Sequence, residues 1–136
     1  MMDRSQIETL LAAAAAARQA AYAPYSGYRV GAAVLAADGR IIVGCNVENA
    51  SYGLTICAER AAAVAAVVGG GLPLRGVAVV AAGSPAPCGA CRQFLAELGP
   101  GIDVLLADPG SLEAWRRTTL RDLLPDQFGP ESLEKG

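Results

Sequence analysis

Apolar and polar positions along the chain fall into segments that predict four helices and four strands. Ser5 and Glu8 have the spacing of a capping box, and the alanine-rich run behind them predicts a first helix to about residue 22. Apolar runs at residues 28–36 and 40–46 flank an Asp-Gly pair and are typical of a β-hairpin. The remaining predicted elements are a helix at 57–68, a strand at 76–82, a helix at 88–98, a strand at 102–107 and a short helix from about Thr119. Thr119 and Asp122 have the spacing of an N-terminal cap for this last helix.

The order of these elements predicts the fold class. A hairpin followed by alternating helices and strands favours an α/β fold, with a mixed sheet and helices on both faces. The 136 residues suit one domain, and the sequence contains no internal repeat or interdomain linker. We therefore expect a single catalytic or binding domain over residues 1–136.

Composition narrows the possible partners and the compartment. The chain is 53% hydrophobic, but much of this is alanine, and no apolar run approaches the ~18 residues of a membrane span. Asp3 and Glu8 argue against a secretory signal in the apolar N-terminal segment. A net charge of −2 provides no basic surface for nucleic acid or anionic membrane. Four cysteines in such a chain indicate metal or redox chemistry in a reducing compartment, so we expect a cytoplasmic protein. From the charge and the short apolar runs, we expect it to bind neither nucleic acid nor membrane.

The chain contains no histidine. Any transition metal must therefore be held by cysteine and carboxylate ligands. General acid–base catalysis near neutral pH must likewise use a carboxylate, a cysteine or a tyrosine.

Cys88 and Cys91 form a Cys-x-x-Cys pair where a predicted strand gives way to a predicted helix. The first turn of a helix has unpaired N–H groups, and the helix dipole there favours negative charge. Both effects stabilise thiolate, which is the form that binds metal or attacks disulfides. This pair alone is compatible with a metal site or with a thioredoxin-type redox site.

Cys57 precedes Glu59 at the start of the second predicted helix, much as Cys88 starts the third. If both helix starts face one point, three thiolates would hold zinc and leave a fourth position open for water. Glu59 would then lie beside that water and could accept its proton.

Two further points bear on the hypothesis of a three-cysteine zinc site, namely the net charge of the site and the presence of a fourth cysteine. Zinc with three thiolates and a carboxylate is negative overall, so we expect at least one arginine, Arg60 ahead of Arg92, to hydrogen-bond a ligand sulfur. Cys45 could close the site into a structural four-cysteine centre. Its position at the end of an apolar strand favours instead a small buried side chain.

Longer segments of the sequence resemble a known family. They are Tyr22-Ala23-Pro24-Tyr25-Ser26, Gly44-Cys45-Asn46-Val47-Glu48-Asn49-Ala50-Ser51-Tyr52, Thr55-Ile56-Cys57-Ala58-Glu59-Arg60, Pro87-Cys88-Gly89-Ala90-Cys91-Arg92-Gln93 and Leu123-Leu124-Pro125 with Phe128. In this order and spacing they are similar to the small homotetrameric zinc-dependent cytidine deaminases, over essentially the whole chain.

The resemblance implies a three-layer α-β-α fold with a mixed sheet of about five strands, assembled as a homotetramer. It also implies one Zn²⁺ per subunit, with Cys57, Cys88 and Cys91 as ligands. Tyr52 and Phe128 would reach the site of a neighbouring subunit.

The resemblance assigns further roles around the substrate. Glu59 would shuttle protons, and Asn46 and Glu48 would hydrogen-bond the ribose hydroxyls. The Ala58 backbone and Glu59 would recognise the edge of cytosine. Tyr28 stands where the family often has a phenylalanine that packs against the base, so its hydroxyl group needs a hydrogen-bond partner.

The expected function is hydrolytic deamination of cytidine and deoxycytidine to uridine and deoxyuridine, with release of ammonia, in pyrimidine salvage. Alternatives are a thiol–disulfide oxidoreductase using Cys88 and Cys91, or a zinc-stabilised binding module without catalysis. Another is a deaminase of a modified cytosine nucleoside such as blasticidin S, or of cytosine within nucleic acid. The acidic charge balance disfavours nucleic acid, and Asn46 with Glu48 favours a free nucleoside.

Overall fold

A computed structural model describes residues 2–134, in which five strands form one sheet with helices packed on it. The strands are β1 (Gly31–Leu35), β2 (Ile41–Cys45), β3 (Gly76–Val80), β4 (Asp103–Ala107) and β5 (Arg116–Thr119). The helices are α1 (Arg4–Arg18), α2 (Ala58–Val68), α3 (Gly89–Leu98), α4 (Leu120–Leu123) and α5 (Pro130–Leu133), with short 3₁₀ turns at Tyr52–Leu54 and Leu112–Ala114.

The sheet is mixed, as predicted. Its strand order is β2-β1-β3-β4-β5. β1 is antiparallel to both β2 and β3, β3 is parallel to β4, and β4 is antiparallel to β5. The parallel pair is connected by α3, so the segment that carries the Cys-x-x-Cys pair starts where β3 ends.

Alternation of side chains along the strands builds a separate core on each face of the sheet. In β1, Ala32 and Val34 belong to the core that includes residues of α2 and α3. Ala33 and Leu35 belong to the core that includes the buried face of α1. Helices therefore cover both faces, which confirms the predicted α/β fold class.

Two glycines allow the helices to lie unusually close to the sheet. A Cβ atom at Gly44 in β2 would lie 2.5 Å from the Ala62 nitrogen and 2.7 Å from the Ala58 oxygen of α2. A Cβ atom at Gly31 in β1 would similarly clash with the backbone of α1 at Ala14. Gly44 thus fixes how near the start of α2 comes to the sheet.

The ends of α1 differ from the sequence prediction. The N-cap is Asp3, whose carboxylate accepts the Gln6 N–H at 2.9 Å, while the Gln6 side chain accepts the Asp3 N–H at 3.2 Å. This capping box precedes the one predicted at Ser5 and Glu8, and α1 ends at Arg18 rather than near residue 22. The Asp3 carboxylate supplies the N-terminal cap, so the helix begins before Ser5.

The sequence pattern did not predict β5 or α5, although the resemblance implied about five strands. β5 has the sequence Arg-Arg-Thr-Thr, which lacks an apolar alternation, and it becomes a strand through its pairing with β4. The cap predicted for α4 is present, because the Thr119 hydroxyl oxygen accepts the Asp122 N–H at 3.1 Å. Over residues 2–134, no helix has the length and apolar character needed to cross a membrane.

Candidate active site

The starts of α2 and α3 lie together on one face of the sheet. Cys57 is the N-cap of α2 and Cys88 is the N-cap of α3, and neither side chain caps its helix by a hydrogen bond. Cys91 lies in the first turn of α3 and is fully buried. Both helices therefore direct the positive ends of their dipoles toward a shared group of thiols.

The three sulfur atoms form a compact cluster. All lie within 4.8 Å of one another, and the Sγ atoms of Cys88 and Cys91 are 3.5 Å apart. Tetrahedral zinc with Zn–S bonds of about 2.3 Å requires S–S separations of roughly 3.8 Å. The donor set and its spacing therefore fit Zn²⁺, and the cluster contains only three of the four cysteines.

Ionisation within the cluster is uneven. A hydrogen bond from Cys91 and the nearby Arg60 lower the pKa of Cys57 to about 5, against the opposing effect of burial. The same hydrogen bond to Cys57, together with burial and the neighbouring Glu59 carboxyl, raises the pKa of Cys91. Cys57 and Cys91 are thus linked through a shared proton, which a bound cation would displace.

Arg60 lies where charge compensation was expected. Its Nη2 atom is 3.6 Å from the Cys57 Sγ and 3.4 Å from the Thr55 carbonyl oxygen. The Arg60 Nε atom is buried and has no hydrogen-bond partner within residues 2–134. The guanidinium group is therefore packed against the sulfur cluster, where its charge opposes that of the thiolates.

Arg92 makes different contacts. Its Nε atom donates to the Pro87 carbonyl at 2.7 Å, and its Nη1 atom donates to the Leu123 carbonyl at 2.8 Å. These bonds hold the backbone just before Cys88 and tie it to α4, and neither bond involves a sulfur of the cluster. Arg92 therefore supports the position of the third helix rather than the charge of the cluster.

A cavity of about 200 Å³ adjoins the cluster. It is lined by Tyr28, Val30, Asn46, Thr55, Cys57, Ala58, Glu59, Val79, Pro85, Ala86 and Cys88. Glu59 is only 5% exposed, and burial is the main cause that raises the pKa of its carboxyl group. The cavity thus combines a mostly apolar wall with one carboxyl group beside the thiols.

Asn46 is only 8% exposed, and it lines the cavity while its side chain binds two backbone groups. Its Oδ1 atom accepts the Val30 N–H at 2.9 Å, and its Nδ2 atom donates to the Tyr28 carbonyl at 2.9 Å. A carboxamide has two N–H hydrogens and two acceptor lone pairs, so one of each is still free for a ligand.

Glu48 lines a second cavity, of about 260 Å³, that shares Thr55 with the first. The Glu48 carboxylate accepts the N–H groups of Tyr25 at 2.9 Å and Ser26 at 3.1 Å, and also the Ser26 hydroxyl. The Ser26 hydroxyl is the main cause that lowers the pKa of Glu48. Glu48 is thus a fixed, ionised acceptor next to the thiol cavity.

Comparisons with known proteins agree with this geometry. The sequence profile of the "cytidine and deoxycytidylate deaminase zinc-binding region" matches residues 4–106. A cytidine deaminase from Sporosarcina psychrophila is 47% identical over 131 residues, which are 93% of this chain and 94% of the relative. One from Mycobacterium tuberculosis is 50% identical over 117 residues, 85% of this chain and 84% of the relative. The chain belongs to the cytidine deaminase family.

The fold agrees with solved structures of this family. The crystal structure of the cytidine deaminase from Burkholderia pseudomallei matches with a TM-score of 0.83 and 48% sequence identity. The match covers 93% of this chain and 100% of the Burkholderia pseudomallei chain. Similarity therefore extends through the helices, the sheet and the segments that carry the three cysteines.

Tyr28 has the hydrogen-bond partner that its hydroxyl group needs. The Tyr28 hydroxyl donates to the Ala82 carbonyl at 2.7 Å, and the ring lies on the cavity wall. This bond connects the segment before β1 with the segment after β3. The tyrosine hydroxyl therefore adds a link across the rim of the cavity.

The two predicted inter-subunit aromatics lie away from the thiols. Tyr52 is 74% exposed, lines the Glu48 cavity, and packs edge-on against Tyr25 with ring centroids 5.8 Å apart. Phe128 is 58% exposed, and its carbonyl accepts a hydrogen bond from the Gln93 side chain at 2.9 Å. Neither ring lines the cavity beside Glu59.

Cys45 ends β2 and pairs with Gly31, outside the sulfur cluster. Its side chain is partly exposed rather than fully buried. Because the cluster forms without it, the arrangement contradicts a closed four-cysteine centre. The participation of Cys57 likewise fits a three-ligand metal site better than a two-cysteine redox site.

Sequence reasoning did not single out Ser26 and Thr55. Ser26 positions the Glu48 carboxylate, and Thr55 lies on both cavities. Both occur within segments that resemble the family, and this was the only signal for them, since an isolated hydroxyl residue in a loop indicates nothing specific.

Proposed function

We propose that the protein is a zinc-dependent cytidine deaminase, which converts cytidine or deoxycytidine and water to uridine or deoxyuridine and ammonia. The main support is the position of Glu59, a nearly buried carboxyl group on the wall of a cavity shared with Cys57 and Cys88. A buried carboxyl group is costly for stability, so its presence two residues beyond a candidate metal ligand argues for a role in catalysis. The family of the chain supports the same reaction.

Cys57, Cys88 and Cys91 would hold one Zn²⁺ per subunit. When bound there, zinc supplies a Lewis acid that makes water a nucleophile near neutral pH. Arg60 would remain against the Cys57 sulfur and offset the negative charge of three thiolates.

Glu59 performs the proton transfers in this proposal. Its carboxylate takes a proton from the attacking water and delivers it to N3 of the cytosine ring as the water oxygen bonds to C4. Glu59 then transfers the second water proton to the exocyclic nitrogen. The C4–N bond breaks, ammonia leaves, and the oxygen remains as the C4 carbonyl of uracil.

The cytosine base would be recognised by the Ala58 backbone, the Glu59 carboxyl group and the Tyr28 ring. Ala58 is the first residue of α2, so its N–H lies outside the helical hydrogen-bond pattern while the residue lines the cavity. The Ala58 backbone and the Glu59 carboxyl would read the polar edge of cytosine. The Tyr28 ring would pack against the base from the opposite side of the cavity, held there by its bond to Ala82.

Asn46 and Glu48 would bind the ribose. Asn46 retains one donor and one acceptor toward the cavity beside Glu59, and Glu48 lies in the adjoining cavity as a fixed acceptor. The 3′-hydroxyl is common to cytidine and deoxycytidine, and recognition through it would admit both nucleosides.

The subunits would form a homotetramer whose sites are completed by Tyr52 and Phe128 of neighbouring subunits. Both rings are largely exposed in the single chain. The outer surface of α2 also presents apolar side chains to solvent, with Val64 49% exposed and Val68 84% exposed. Such surfaces favour contact between subunits, and light scattering of the purified protein measures the assembly directly.

The whole chain would act as one catalytic domain in pyrimidine salvage. A cytoplasmic location suits the proposal, because a site built of three thiols requires a reducing compartment.

Ammonia release from cytidine by the purified protein, with and without a strong zinc chelator, tests the proposal. We expect release that the chelator abolishes and that added Zn²⁺ restores. A zinc-loaded protein that releases no ammonia from cytidine or deoxycytidine would contradict the proposed substrate. Blasticidin S assayed in parallel then distinguishes a deaminase of a modified nucleoside from an inactive metal site.

A further inference from the structure

The segment that delivers Cys88 to the cluster has no regular secondary structure. Residues 81–88 leave β3 and reach the N-cap of α3 through two consecutive left-handed residues, Gly83 with φ 84° and Ser84 with φ 53°. Glycine adopts this conformation freely, but serine does so at a cost in free energy. The surrounding structure must therefore hold this turn in place.

Asp108, which follows the last residue of β4, holds the turn from the neighbouring strand. Its Oδ2 atom accepts the Gly83 N–H at 2.8 Å, and its Oδ1 atom accepts the Gly110 N–H at 2.8 Å. These two bonds are the main causes that lower the pKa of Asp108, so the carboxylate is ionised when it binds them. Bonds from N–H groups to a charged carboxylate are stronger than those between neutral groups.

Two further side chains bind the residues on either side of Gly83. The Tyr28 hydroxyl donates to the Ala82 carbonyl at 2.7 Å, and the Arg116 Nη2 atom donates to the Ser84 carbonyl at 3.4 Å. Three consecutive residues are thus held by side chains from three different parts of the chain. Asp108 differs from the other two because it accepts a backbone N–H and carries a negative charge.

The held turn lies directly before the functional part of the segment. Pro85 and Ala86 line the cavity beside Glu59, and Cys88 belongs to the sulfur cluster. Arg92 fixes the Pro87 carbonyl at the far end of the same segment. With both ends fixed, the path between Gly83 and Cys88 has little freedom.

We infer that Asp108 is a positioning residue for the metal site, because its carboxylate fixes the left-handed turn at Gly83 that places Cys88 beside Cys57 and Cys91. The inference rests on the proposed zinc site. Asp108 touches neither the sulfurs nor the cavity, so it acts through the backbone of the segment alone.

Zinc release to a chromogenic chelator, measured for the purified holoenzyme and its variants, tests the inference. We expect Asp108→Ala to release zinc about tenfold faster or more, within the ~10–100-fold range for outer groups that support metal ligands. In the zinc-saturated enzyme, kcat should fall while the KM for cytidine changes less. Asp108→Asn keeps one acceptor oxygen and the shape of the side chain, so its release rate should lie between those of wild type and Asp108→Ala.

Asp38→Ala is the matched control. Asp38 also accepts a backbone N–H in an exposed turn, that of Arg40 at 3.1 Å, but it lies in the hairpin between β1 and β2. Asp38→Ala loses this bond and the contact with the Arg40 Nε atom at 2.8 Å, and Asp108→Ala loses two backbone contacts. A general effect of losing turn contacts would therefore appear in both variants. Equal zinc release from Asp108→Ala and Asp38→Ala would overturn the inference.

Cys57→Ser separates failure of the inference from failure of the proposed zinc site. If Cys57→Ser kept the full zinc content and slow release of wild type, the three-cysteine site itself would be wrong. If Cys57→Ser lost zinc and Asp108→Ala released it at the wild-type rate, only the role of Asp108 would be wrong.

Discussion

The starts of α2 and α3 use the same device in different surroundings. Each helix has a cysteine as its N-cap, and neither cysteine caps the helix through its side chain. At α2, Ala58 and Glu59 are buried and Arg60 packs against the sulfur. At α3, Cys88, Gly89 and Ala90 are exposed, and the preceding segment is held by side chains from elsewhere.

The two helix starts therefore contribute different groups to the candidate site. The start of α2 provides the carboxyl group and the positive charge inside a low-dielectric environment, where electrostatic effects are strong. The start of α3 provides two of the three thiols and depends on outside contacts for its position. Each helix directs the positive end of its dipole toward the sulfur cluster, but only the start of α2 has a buried carboxyl group beside it.

The largest effect is expected at the start of α2. Glu59→Gln should lower kcat by more than the ~10²–10⁴-fold typical of a single acid–base step, because Glu59 serves several proton transfers in the proposed mechanism. Steady-state kinetics with cytidine measures the loss. Zinc content should stay at the wild-type level, which serves as the control, and a near-native kcat would contradict the proposed mechanism.

Removing the positive charge at α2 should weaken metal binding. Arg60→Gln loses the group that lies 3.6 Å from the Cys57 sulfur, so the zinc affinity should fall by about 10–100-fold in a chelator competition assay. Arg92→Gln is the counterpart at α3, where the guanidinium binds only carbonyl oxygens. Its zinc affinity should fall less, and equal losses would remove the distinction between the two helix starts.

Steric crowding should affect the two helix starts differently. Gly44→Ala places a Cβ atom against the α2 backbone and should lower the free energy of unfolding by about 1–3 kcal/mol. Gly89→Ala, in the first turn of α3, has open space around the added atom and should leave that free energy nearly unchanged. Denaturant unfolding of both variants measures the difference, and similar destabilisation would show that α2 is not packed more tightly.

The smallest effect is expected at Cys45. Cys45→Ser should keep zinc content and kcat at wild-type levels, because Cys45 lies outside the sulfur cluster. Metal analysis and the ammonia assay provide the check. Loss of zinc would instead favour a structural site that includes the fourth cysteine.

Local sequence pattern was sufficient for the elements around the cysteines. The helical patterns at 57–68 and 88–98, each preceded by a loop and begun by a cysteine, indicated that two helix starts could face one point. The expected contact of Arg60 with a cysteine sulfur, that of Cys57, is present as well. These features depend on short-range spacing, which a sequence displays directly.

Features that depend on pairing between distant segments were not predicted. β5 is a strand because β4 lies beside it, although its own residues carry no apolar pattern. The contacts of Asp108 with Gly83 and of Tyr28 with Ala82 join residues 25 and 54 positions apart. Nothing in the local sequence indicates such partners, because the path of the chain brings them together.

The two outer strands of the sheet differ in charge, with a consequence for solubility. β5 carries Arg116 and Arg117, and charged side chains on an edge strand discourage pairing with another chain. β2 consists of Ile41–Cys45, has no charged residue, and leaves Val43 48% exposed. An isolated subunit would therefore offer β2 as a template for aggregation, so the solubility of the protein depends on what covers that edge.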